Sequence, residues 1–413
     1  MWRHFVRIFA LTCLIANSGC MPAGFFRIRE AKNVSNFTLA DDSLVFGAGY
    51  NLYRLNLSTR LMERIYATDR VIVEQPIIAD GTIFFGGRSG VDKSGWRGED
   101  QGFFAVDLES RKVQWKFSMA GGYGTFGTFP VLAGDRILAC SRWHLHSLDR
   151  KTGKEIWRVD NWMGSTGDTV TIPYVSDNHA YFVIAEEHVA ASQKTDENDG
   201  HWAEVDLESG NRSIFHIAER PGTYEDSNGQ GIGTLFDGVI YGNSRVDRFG
   251  ALDLRARRLL WEFPTDTHIK PVVLNGKVFL VRNEEIQSLD QRTGKTIWTQ
   301  PLIGISSPIA NTDQDFARSR FEEYHARRVA TDGRILIVQG STAIAALDPE
   351  TGIEKWRTEM ASSSTPVTPL LVGQNVFVLS EIDCSIVALD ILTGKELWRI
   401  GIPDCTFYQV VDD

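Results

Sequence analysis

The chain has 413 residues, 43% of them hydrophobic and 23% charged, a balance that excludes a disordered or collagen-like polypeptide. Formal net charge is −10, from 43 Lys+Arg against 53 Asp+Glu, and no basic stripe interrupts the acidic excess. A nucleic-acid partner, which needs clustered positive charge, is therefore not expected.

Residues 1–20 read as an export signal, MWRHFVRIFALTCLIANSGC. Arg3 and Arg7 give a positive start, and Ile8 to Ala16 form an apolar run of nine. A helix that crosses a bilayer needs roughly 20 residues, so this run is too short to span one. Ser18-Gly19-Cys20 resembles the end of a bacterial lipobox, which makes Cys20 a candidate for lipidation, although Asn17 stands where that motif usually has Leu. A cut after Ser18, releasing a soluble secreted protein, and an uncleaved chain are the alternatives. No later segment is apolar for long enough to span a membrane as a helix, so attachment would be through the anchor.

From residue 54 onward one pattern recurs. SLDRKTGKEIW (147–157), SLDQRTGKTIW (288–298), ALDPETGIEKW (346–356) and ALDILTGKELW (388–398) are copies of one motif. Looser copies lie at 54–64, 105–115, 204–215 and 251–261. The anchors Asn56, Asp107, Asp149, Asp206, Asp253, Asp290, Asp348 and Asp390 are spaced on average about 48 residues apart. Six anchors are followed eight residues later by Trp: Trp115, Trp157, Trp261, Trp298, Trp356 and Trp398.

Each part of the motif has a physical task. The run before the anchor is strand-like, and the Asp carboxylate can accept bonds from following N–H groups to set a turn. Gly153, Gly210, Gly294, Gly352 and Gly394 supply the positive φ that such a hairpin needs. Arg60, Arg111 and Arg257 hold the same place in three copies and should make those turns less ideal. A Trp ring at the end of the next strand can bury ~150–250 Å² against the neighbouring repeat. Upstream lie two further strands around a tight turn, as in 271–273 and 277–281 across Asn275-Gly276. Eight repeats of four short strands predict an all-β fold, an eight-bladed β-propeller of four-stranded antiparallel blades occupying 21–413 as one domain. Phe25–Arg29 and Thr406–Val411 are both available to close the ring.

Three repeats carry long insertions. Gly90–Gln101 holds Trp96 between Gly95 and Arg97, and Glu186–His201 is acidic. Asp313–Arg328 has the composition of a short helix with Ala317, Phe321 and Tyr324 on one face and Arg318, Arg320, Arg327 and Arg328 around the rest. Trp96, Arg318, Arg320, Phe321 and Tyr324 are the partner-binding candidates, because aromatic and Arg anchors are enriched at hot spots. The alternative is a helix folded down over its own blade.

Catalytic patterns are sparse. Asp196-Glu197-Asn198-Asp199-Gly200 lacks the spacing of a calcium loop and reads as a solvated rim. His144 and His146 share a strand face without an evident third metal ligand and read as a solvated or channel-lining pair. Gly121–Gly124 and Gly229–Gly233 join no strand to a helix, and read as loops entering inner strands rather than phosphate cradles. Trp143, Trp162 and Trp202 are read as core. Of five cysteines, Cys13 lies in the signal, and Cys140, Cys384 and Cys405 lie in the body; a Cys384–Cys405 disulfide and buried free thiols are equally open.

The pattern A-x-D-x-x-T-G-x-x-x-W is similar to the tryptophan-docking motif of PQQ-like propeller repeats, over roughly residues 34–400. Within that family, the size and the candidate anchor resemble BamB-like outer-membrane assembly lipoproteins. That resemblance implies a non-enzymatic scaffold for other proteins, barrel-assembly subunits among them, acting as a monomer within a complex. It also implies an outer-membrane lipoprotein facing the periplasm, with no catalytic, cofactor-binding or metal residues. The other branch of the family, quinoprotein dehydrogenases, implies PQQ and calcium in the channel. Many of its members have adjacent cysteines, which this chain lacks, so neither cofactor is expected.

Overall fold

A computed structural model describes residues 34–72, 75–89, 101–119, 130–140, 144–160, 172–184, 201–216, 233–245, 248–264, 269–282, 285–305, 328–340, 342–360, 367–380, 383–403 and 405. Among them every regular element is a strand, 33 in all, arranged as eight antiparallel sheets. Each sheet is built from four strands consecutive in sequence and paired in sequence order. We number the sheets as blades 1 to 8, spanning 38–67, 70–119, 130–160, 174–216, 234–264, 272–301, 328–359 and 370–401. Blade 2 adds a fifth, two-residue strand, Arg70–Val71, paired with Thr82–Ser89.

The strands of a blade differ as their positions require. First strands are only three or four residues long and touch the first strands of neighbouring blades, so they surround the axis. Second and third strands are apolar almost throughout, as in Asn375–Ser380 and Ser385–Asp390, because both of their faces are covered by adjacent blades. Fourth strands alternate exposed and partly buried residues, as in Thr296–Pro301, because they form the rim. Apolar clusters lie between successive blades, and the last of them joins blade 8 to blade 1. The array is therefore a closed eight-bladed propeller.

Closure uses no exchanged strand among the described residues: blades 1 and 8 each take all four strands from their own repeat. The expected closing segments 25–29 and 406–411 lie outside the described residues. At this seam Asn36 Oδ1 accepts the Thr368 N–H at 2.7 Å, and Phe46, Tyr53, Phe377 and Trp398 share one cluster.

Candidate functional site

The anchor turn is built alike in most blades. In blade 3 Asp149 Oδ1 accepts both the N–H and the hydroxyl of Thr152 at 2.7 Å, while Gly153 N–H bonds the Asp149 carbonyl at 2.8 Å. Asp206, Asp290, Asp348 and Asp390 repeat this with Ser209, Thr293, Thr351 and Thr393. The Thr152, Ser209, Thr293 and Thr393 hydroxyls hold the carboxyls of Asp149, Asp206, Asp290 and Asp390 below the ordinary range.

These turns receive the neighbouring tryptophan. The indole N–H of Trp115 donates to the Arg150 carbonyl at 2.9 Å, and Trp157, Trp261, Trp298 and Trp356 donate to Leu207, Gln291, Pro349 and Ile391. In every case the acceptor follows the anchor of the next blade. Below each ring lies that blade's positive-φ glycine: a Cβ on Gly153 would stand 2.5 Å from Trp115, and one on Gly352 would stand 2.6 Å from Trp298. Glycine is therefore required twice over there, by φ and by the ring.

Three seams depart from this rule. Arg60, Arg111 and Arg257 take the glycine place with φ of 61°, 60° and 51°. The sequence expectation of less ideal turns is incomplete, because each guanidinium grips the preceding blade. Arg60 lies 5.9 Å from the Trp398 ring, closing blade 8 on blade 1. Arg111 pairs with Glu63, and Arg257 lies 4.6 Å from the Phe215 ring while pairing with Glu204 at 2.6 Å. Seven blades shift register by one residue between third and fourth strands; blade 4 pairs straight through, setting Phe215 opposite Trp202. Trp202, fully buried, stacks on Phe215 with ring centroids 6.5 Å apart and fills the seam to blade 5. Sequence reasoning placed Trp202 in the core without seeing this substitution for a docking tryptophan; the missing Trp eight residues after Asp206 was the available signal.

The two ends of the propeller are unlike. Turns from first to second and from third to fourth strands fall at one end, where every such turn is short and fully described. Connections from second to third strands, and from each blade to the next, leave from the opposite end. Residues 90–100 join Thr82–Ser89 to Gln101–Asp107, 185–200 join His179–Ile184 to His201–Asp206, and 302–327 join blade 6 to blade 7. All three long insertions thus attach at one end. Trp96, Arg318, Arg320, Phe321 and Tyr324 fall within them, outside the described residues, as do Cys20, Trp143, Trp162, both glycine-rich runs except Gly233, and Asp196–Gly200. Arg328, expected to end a helix, instead opens the first strand of blade 7.

His146 is neither solvated nor channel-lining: it is 5% exposed between blades 2 and 3, in edge contact with Phe117, because its strand face is turned onto the neighbouring blade. Its Nδ1 meets Glu155 at 2.6 Å, Nε2 has no partner, and burial, opposed by Glu155, lowers its pKa. Between blades 7 and 8 a cavity of about 220 Å³ is lined by Thr358, Met360, Ser380, Asp383, Glu396 and Arg399, among others. Burial would raise the Asp383 pKa, but bonds from Ser380, Ser385 and Arg399 outweigh it and hold the carboxyl at about 2. Cys384 and Cys405 form a disulfide, and Cys140 is a buried free thiol. Among the described residues no three His, Cys, Asp or Glu side chains converge as a metal set.

Three segments, 99–213, 204–317 and 282–403, match the family model described as Outer membrane protein assembly factor BamB. BamB from Moraxella catarrhalis is structurally similar, with TM-score 0.57 and 14% identity over 84% of this chain and 93% of that one. Quinohemoprotein alcohol dehydrogenase from Comamonas testosteroni is nearly as similar, with TM-score 0.56 and 14% identity over 82% and 68%. A 1-butanol dehydrogenase (quinone) from Thauera butanivorans is 28% identical over 155 residues, 30% of this chain and 22% of that protein. The curated relatives the chain matches are covered over 15–34% of their own lengths.

Proposed function

The chain belongs to the family of PQQ-repeat propellers described as Outer membrane protein assembly factor BamB, and from that premise we propose that it is a non-enzymatic scaffold for other proteins. One observation supports this reading above the others: the three long insertions emerge at a single end of a ring whose opposite end consists of tight turns. Loops clustered on a rigid frame are the usual seat of protein recognition. The insertions offer Trp96, Arg318, Arg320, Phe321 and Tyr324, residue types that anchor interfaces. The partners in this reading are barrel-assembly subunits, met on the periplasmic side by a chain held at the outer membrane through Cys20.

Crosslinked capture from native membranes tests the scaffold. Barrel-assembly subunits are the expected prey, and charge reversal at Arg318 and Arg320 should reduce their recovery without changing the melting temperature. Recovery of the protein alone would refute it. Membrane fractionation of Cys20→Ser tests the anchor: release into the soluble fraction is expected, and unchanged retention excludes it.

The likeness to a quinone-dependent butanol dehydrogenase supports a second reading, a ligand site or redox enzyme in the channel. A rise in melting temperature on adding PQQ with calcium would favour it. Indifference to both would leave the scaffold alone.

A further inference from the structure

The seam between blades 8 and 1 is unlike the other seven, because it joins the last repeat to the first and so has no linker between consecutive repeats. Other successive blades are joined by a peptide linker, and five seams have a tryptophan seated over a glycine. Here the Trp398 ring meets Arg60, and no strand is exchanged among the described residues. What does cross is the segment after the last strand. Ile402, 5% exposed, enters the cluster shared by Leu44, Phe46, Tyr53, Phe377 and Ile386, and Cys405 packs against the same cluster. Tyr53 of blade 1 donates its hydroxyl to the Pro403 carbonyl at 3.4 Å, and Ile402 N–H bonds the Cys384 carbonyl at 2.7 Å. Cys384 lies in the turn between the second and third strands of blade 8 and holds a left-handed φ of 49°. Its neighbour Asp383 ties that turn to Ser380, Ser385 and Arg399.

We propose that the Cys384–Cys405 disulfide is the covalent clasp of the ring, holding the C-terminal segment across the blade 8–blade 1 seam and placing closure under redox control. The bond ties Cys405, and with it Ile402 and Pro403, to a turn that is itself anchored within blade 8, so their contact with blade 1 cannot peel away by fraying. Reduction by a dithiol proceeds by thiolate attack on one sulfur. A mixed disulfide forms, and the reagent's second thiol then displaces the protein sulfur. Two electrons and two protons pass to Cys384 and Cys405, which become thiols, while the reagent becomes a cyclic disulfide. Ile402 and Pro403 are then free to fray from blade 1, and this seam, left with the Asn36–Thr368 bond, the Arg60–Trp398 contact and the shared apolar cluster, opens before any other. Cys140, buried with its thiol pKa pushed up by burial, takes no part.

The test is hydrogen exchange resolved by blade, on the full protein with and without dithiothreitol, with Cys384→Ser/Cys405→Ser as second sample. Two bridged residues 21 apart close a loop whose release should raise opening on the order of 100-fold. Exchange in Ser43–Asn56 and Asn375–Asp390 should therefore rise steeply on reduction, while blades 5 and 6 stay within about twofold. The double variant should show the raised exchange without reductant and ignore its addition. An equal rise in all blades, or none, overturns the proposal. So does peptide mapping that finds Cys384 and Cys405 as free thiols in untreated protein. If the double variant fails to fold, the dithiothreitol titration of the native chain decides alone.

Discussion

Replacing Trp356 by Ala gives the sharpest test of how the blades are coupled. Trp356 is 8% exposed, its ring lies over Gly394, and its N–H donates to the Ile391 carbonyl at 2.8 Å. A tryptophan of this kind hides ~150–250 Å², worth about 4–6 kcal/mol at ~25 cal/mol per Å². Alanine keeps a small part of that, and the freed Ile391 carbonyl can turn to water entering the gap, so a net loss of about 3–5 kcal/mol is expected. Trp356→Phe keeps much of the ring but not the donor and should lose about 1–2 kcal/mol. Urea unfolding at neutral pH, followed by far-ultraviolet circular dichroism, measures both. A loss under about 1 kcal/mol for Trp356→Ala would mean the seam repacks without the indole, and the docking argument would fail.

Other outcomes follow from the same geometry. Gly352→Ala should destabilise by about 2–3 kcal/mol in urea unfolding, since the new methyl meets both a positive φ and the Trp298 ring. Ser147→Ala and Ser288→Ala remove buried hydroxyls that have no partner, so each should be neutral or stabilising by up to about 1 kcal/mol in the same assay. The folded pKa values of Asp383, Asp149 and Asp390 are depressed, so their stabilisation is complete above the ordinary carboxylate range and is lost as pH falls toward 2. Asp383→Asn should therefore flatten the acid limb of a pH–stability curve, and an unchanged limb would exclude its role. The folded pKa of His146 is likewise lowered, so the seam between blades 2 and 3 weakens as pH drops below about 6.5, and His146→Phe should remove that dependence.

Much of the ring was legible because its turns are local. Asp149 caps residues only three or four positions away, so the D-x-x-T-G spacing is enough to place a hairpin. The Trp offset then gives the seam, since one residue type at one register position faces the next blade. What escaped depends on partners distant in sequence. Nothing in the local sequence around Arg257 shows that its guanidinium will lie on Phe215, 42 residues earlier in the chain. The straight pairing of blade 4 also escaped, because a bulge is set by strand contacts rather than by one residue. His146 was misread for a related reason: alternation gives a face but not what covers it. The disulfide, left open by spacing, was decided by the pairing of blade 8's third and fourth strands, which sets Ser385 opposite Gly401 and so brings residues 384 and 405 together.

The order in which the blades can form follows from the sheet connectivity. Within each blade pairing joins consecutive strands, so a blade needs only its own repeat and can form as soon as that repeat is complete. The bond of Asn36 to Thr368 spans 332 residues, and that of Tyr53 to Pro403 spans 350. During synthesis from the N-terminus, blade 1 must wait through the whole production of the chain with Phe46, Tyr53 and Leu55 uncovered on its outer flank. At about 5–20 residues per second that wait is on the order of 20–60 seconds. The last blade is therefore the one whose delay, truncation or mispairing leaves a sticky aromatic surface on an otherwise finished molecule, and the nascent chain's need for a chaperone should peak just before blade 8 emerges.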